Sequence, residues 1–107
     1  MLPLLRPGDL VVVQVSTYQE RAPRRGEIVA ARPAALGGRA LVKRIAGLPH
    51  ERLAAGTSTW TLAADEYVLL GDRANQSLDS RALGPITRQE LIGPVWFRLW
   101  PPRTFHS

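Results

Sequence analysis

Of the 14 Lys and Arg residues in this chain of 107, all but Lys43 are arginine. Surface charge gives no reason to keep an amine, because guanidinium serves as well there and is better at bidentate carboxylate contacts. What lysine alone can do is lose its proton at a pH a protein meets. Lys43 is therefore a candidate general base, unless arginine-favouring codon usage simply left one lysine behind. Its ordinary pKa is about 10.4, and a useful base titrates near about 7 to 8, so its surroundings must supply about 4 kcal/mol. Desolvation can do that, since burial penalises the ammonium.

A second stretch with chemical potential is GDRANQSLDSRALG, residues 71–84. If 77–81 is extended, Ser77, Asp79 and Arg81 project to one side and Leu78 and Ser80 to the other. Asp79 and Arg81 can then pair, leaving the Ser77 hydroxyl as a partner for something else. The competing reading is a polar turn with a surface ion pair that contributes little.

These residues need a frame, and the chain reads as mainly antiparallel β. Nine glycines and nine prolines punctuate short apolar runs. The spacing predicts strands over 9–15, 27–32, 39–48, 58–62, 66–70 and 92–100, with 32–40 as a hairpin loop. At most one short helix is expected, at 87–91, where Thr87 and Glu90 have capping-box spacing. In strand 39–48 alternation puts Leu41, Lys43 and Ile45 on one face and Val42, Arg44 and Ala46 on the other. Lys43 thus shares a face with two apolar residues. Residues 1–107 form one domain by length.

Composition excludes several chemistries. There is no cysteine, hence no disulfide or thiolate nucleophile, and two histidines far apart do not build a metal site. The net charge of +5 suits an anionic partner, yet RAPRR at 21–25 is the only basic cluster. Nucleic-acid binding is disfavoured because Trp60, Trp96 and Trp100 lie in apolar, strand-like runs that suit a core better than a stacking platform. No run approaches the length of a membrane span, and MLPLLRPGDL is too short and proline-broken for a signal peptide.

In order along the chain, MLPLLRPGDLVVV, RRGEIVAA, LVKRIAGLP, YVLLGDRANQSLDSRALG and LIGPVWFRLWP resemble the type I signal peptidases, S26-type serine endopeptidases with a Ser/Lys dyad. Among their small relatives are the nickel superoxide dismutase maturation proteases. The resemblance implies a signal-peptidase-like β fold, cleavage of leader or signal peptides from precursor proteins, no cofactor, and work at a membrane. By position, Lys43 matches the general base and Ser77 the serine that hydrogen-bonds it. Asp79 and Arg81 match a bracing pair, Gly71 and Asp72 open the same motif, and Met1 and Pro3 match the end of a Ser-Met-x-Pro signature at the substrate.

The sequence departs from that pattern in places. The nucleophilic serine is expected directly before the methionine, and nothing stands before Met1. The chain is therefore expected to lack nucleophile and anchor and to be inactive alone, through a late start or as a pseudo-enzyme. Leu4 replaces a usual threonine, Glu27 a usual aspartate, and PHE at 49–51 a usual Pro-Gly-Asp. The rival reading is a non-catalytic β module that binds extended peptides at a sheet edge. For the lysine itself, the expectation is an amine largely buried, depressed in pKa by desolvation, and within hydrogen-bond reach of Ser77.

Overall fold

The computed structural model describes residues 10–71, 79–100, 103 and 104. Nine strands lie among them: β1 Leu10–Val13, β2 Ile28–Ala31, β3 Leu41–Gly47, β4 Arg52–Ala55, β5 Ser58–Thr61, β6 Glu66–Leu70, β7 Ile86–Thr87, β8 Leu91–Trp100 and β9 Arg103–Thr104. Seven form one antiparallel sheet in the order β1-β8-β2-β3-β6-β7, with β9 paired to β8, and β4-β5 is a separate hairpin. The fold is mainly antiparallel β, as the apolar runs and turn residues predict.

β8 holds the sheet together because it is long enough to serve two neighbours. Its first half pairs with β2 and its second half with β1. Pro94, which has no N–H to give a ladder, sits at the handover, and its carbonyl accepts the Gln14 N–H at 3.0 Å. β2 and β3 form a hairpin across 32–40, as expected. That loop is fastened from outside, since the Glu90 carboxylate accepts the Ala34 N–H at 2.6 Å.

The helical content differs from the single expected turn. Residues Arg88–Glu90 do form a turn, of 3-10 type, with the Thr87 N–H and hydroxyl both donating to Glu90 Oε1. Three more single turns occur: α1 Thr17–Glu20, a 3-10 turn at Ala34–Leu36, and α2 Ser80–Leu83. α2 was legible in principle, since Asp79 caps Ser-Arg-Ala-Leu and Gly84 stops it at φ 80°. β4 escapes a reading by propensity because Leu53, Ala54 and Ala55 have little strand preference. It forms because β5 folds back on it, pairing Leu53 with Trp60.

The core joins Tyr18, Val29, Ala31, Ile45, Tyr67, Leu69, Ile86 and Leu91, with Leu41, Leu48 and Leu83 packed at its rim. Trp96 does not join it. Val95 takes the buried phase of β8, which turns Trp96 outward to 52% exposure, and Trp60 is only half-buried. The starting edge of β2 is fixed by Glu27, itself 2% exposed. Its carboxylate receives the Tyr18 hydroxyl at 3.0 Å, the Arg24 N–H at 2.8 Å and both ends of the Arg21 guanidinium.

Candidate active site

Lys43 stands in the middle of β3, and the strand's alternation holds there. Ile45 is in the core and Leu41 packs at its rim. The residue opposite Lys43 on β2 is Val29, which is fully buried. Cross-strand partners share a face, so the Lys43 side chain leaves the sheet on its apolar side. The residue as a whole is half-buried. Among the described residues, the last pair of the β3–β6 ladder is Arg44 with Leu70, one residue short of Lys43. Arg44, on the other face, donates to the Gly26 carbonyl at 2.9 Å.

Continuing the β3–β6 register by one residue brings Gly71 opposite Lys43. Gly71 has no side chain to fill that space, and its own position is fixed by Asp79. The Gly71 N–H donates to Asp79 Oδ2 at 2.9 Å, while Asp79 Oδ1 accepts the Arg81 N–H at 2.9 Å and Arg81 Nε at 3.1 Å. The second guanidinium nitrogen closes the pair on Oδ2. Asp79 is 2% exposed. Burial pushes its pKa up, but the Arg81 guanidinium and the Gly71 and Arg81 N–H groups outweigh that and hold it below the usual carboxylate range. Asp79 is thus ionised, charge-matched and capping α2. The alternation drawn over 77–81 does not describe this pair, since α2 begins at Ser80 and Arg81 folds back along Asp79.

The structure therefore brings Lys43, Gly71, Asp79 and Arg81 to one end of the β3–β6 ladder. Ser77, Asp72, Met1 and Pro3 lie outside the described residues, and with them the Lys43–Ser77 contact. Among the described residues no cluster of His, Cys, Asp or Glu is arranged to hold a metal ion. No helix among them is long and apolar enough to cross a membrane. One residue beside the site, Ser80, went unassigned at the sequence level. It is buried under the end of β6, and its place directly after an N-capping aspartate was the available signal.

Known proteins are similar to this chain over most of its length. The family model described as signal peptidase, peptidase S26, matches residues 1–59 and 50–100. A probable signal peptidase I-2 of Synechocystis sp. is 31% identical over 94% of this chain and 59% of its own length. Signal peptidase I of Leptolyngbya laminosa is 30% identical over 94% of the chain and 64% of its own length. The mitochondrial ATP-independent inner membrane protease subunit 1a of Arabidopsis thaliana is 30% identical over the whole chain and 69% of its own length. The chain thus spans about three-fifths of the length of the first two of these relatives. With the match running through the β3 lysine and the strand-to-α2 motif alike, the chain belongs to the signal peptidase family, peptidase S26.

Proposed function

We propose that this domain is the catalytic part of a serine endopeptidase that removes leader or signal peptides from precursor proteins, with Lys43 as general base of a Ser/Lys dyad. The observation that carries it is the placement of the only lysine on the apolar face of β3. It stands between Leu41 and Ile45, opposite Val29, where an ammonium is poorly solvated. The reaction is acyl transfer. The neutral amine takes the proton from a serine hydroxyl as its oxygen attacks the scissile carbonyl, and then passes that proton to the leaving amine. Water hydrolyses the resulting ester with the same base. In this reading Ser77 hydrogen-bonds and orients the amine without adding charge. Asp79 and Arg81 hold the end of α2, Asp72 belongs to the same brace, and Met1 and Pro3 border the bound peptide. The names of the relatives, an inner membrane protease among them, support work at a bilayer surface.

The test uses a chain carrying a serine directly before Met1, with alanine there as control, and a peptide containing Ala-x-Ala. The serine form cleaves and the alanine form does not. Lys43→Arg in the serine form abolishes turnover while circular dichroism and melting stay those of the parent. Arginine keeps the charge but cannot accept the proton. Retained turnover in that variant removes Lys43 from the role of base.

A further inference from the structure

Beyond Tyr67, where β7 stops pairing, no strand among the described residues covers the outer edge of β6, and its backbone shows how that edge is satisfied. Ile45 spends both backbone groups on the β2 side, donating to the Glu27 carbonyl at 2.9 Å and accepting the Gly26 N–H at 2.8 Å. Its partner on β6, Leu69, therefore sits in a non-hydrogen-bonded pair and turns its N–H away from β3. β7 cannot receive it, since that strand pairs only with Glu66 and Tyr67. The acceptor is the Ser80 hydroxyl oxygen, at 2.9 Å. Two residues on, the same outward N–H of Gly71 is taken by Asp79. Adjacent side chains at the head of α2 thus satisfy successive donors that a strand would otherwise meet.

We propose that Ser80 is a positioning residue for Lys43: its side-chain oxygen takes the place of a neighbouring strand at the outer edge of β6, and so fixes where Gly71 stands against Lys43. Ser80 is 1% exposed, and its role in this arrangement is to position backbone rather than to react. Without its oxygen the Leu69 N–H is buried with no acceptor, and a buried orphan donor is relieved by moving the strand or admitting water. Either response is felt at Gly71, which directly follows Leu70, the partner of Lys43's neighbour Arg44, and the register continued by one residue sets Gly71 toward Lys43. The functional meaning rests on the reading of Lys43 as base; the geometry does not.

A single lysine makes the experiment direct. The full chain is labelled with acetic anhydride across a pH series, and the peptide containing Lys43 is read by mass spectrometry for its midpoint and its limiting rate at high pH. Ser80→Ala should raise the limiting rate severalfold and remove exchange protection from the Leu69 amide. Ala82→Gly, on the exposed side of α2, weakens the helix without touching either acceptor, and should leave the Lys43 rate at the parent value. A parent-like Lys43 rate in folded Ser80→Ala overturns the proposal. So does an equal rise in Ala82→Gly, which makes the effect a general loosening. If Ser80→Ala does not fold, Ser80→Cys, a weaker acceptor of similar size, is compared by the same two outcomes. The parent midpoint separately tests the base: a value near about 10.4 removes that reading, while the limiting rates still decide Ser80.

Discussion

His50 is the residue among those described that adopts a left-handed backbone without being glycine, at φ 69°. It follows Pro49 where the family pattern has glycine, and its N–H donates to the Leu62 carbonyl at 3.0 Å. The turn thus keeps its geometry with a side chain that pays for it. His50→Gly should stabilise the fold by up to about 1 kcal/mol, reduced by the extra freedom glycine has when unfolded. A urea midpoint below the parent's would contradict this. Lys43 raises the opposite question, because its strand neighbours Leu41 and Ile45 and its cross-strand partner Val29 are apolar. Lys43→Met should leave stability unchanged or raise it by about 1 kcal/mol. A marked loss in chemical denaturation would mean that ionic contacts, rather than chemistry, retain the lysine.

At the scale of elements, the sheet depends on backbone segments passing very close to one another. The clearest case is Gly93 in β8, where the chain leaving β1 crosses directly above. A Cβ at Gly93 would lie 2.3 Å from the Gln14 carbonyl oxygen and 3.3 Å from Val15 Cα. Backbone on both sides leaves nothing to rotate away. Gly93→Ala should therefore cost about 3 kcal/mol, measured by denaturant unfolding, and should separate β1 from β8 before it disturbs β2 and β3. Gly47 is the milder case, since the nearest atom to a Cβ there is the end of the Leu53 side chain, at 2.9 Å, which can turn aside.

For the molecule as a whole, buried charge sets the pH range in which it stays folded. Burial raises the pKa of Glu27, Asp79 and Glu90, but the hydrogen bonds each accepts outweigh it and hold all three below their ordinary values. Such groups contribute stability that is complete above their unfolded values of about 3.9 to 4.3 and is lost as pH falls through the lower folded values. Tyr18 shifts the other way: burial, and then the Glu27 charge it faces, raise it. Its contribution is complete below the ordinary value of about 10 and fades above it. Urea midpoints taken across pH should therefore form a plateau from about 5 to about 9, with losses on both sides. Tyr18→Phe should flatten the alkaline loss. The exposed pair Arg25–Glu51 should add little to either limb.

The sequence by itself determined the β class, most strand positions, the face of β3 that Lys43 occupies and the family, because alternation and turn residues act within a few residues of one another. It also marked Asp79 and Arg81 as partners, since two residues of separation suffice for that contact. Tertiary structure alone decided the rest. Val29 faces Lys43 only through the β2–β3 register, Trp96 is turned out because Val95 takes the buried phase, and the β4 strand exists because β5 pairs with it. Ser80 acquires its task only when β7 stops short and leaves the Leu69 N–H without a strand. A donor's need for a partner belongs to its own residue, but which atom meets it depends on chain that arrives from elsewhere.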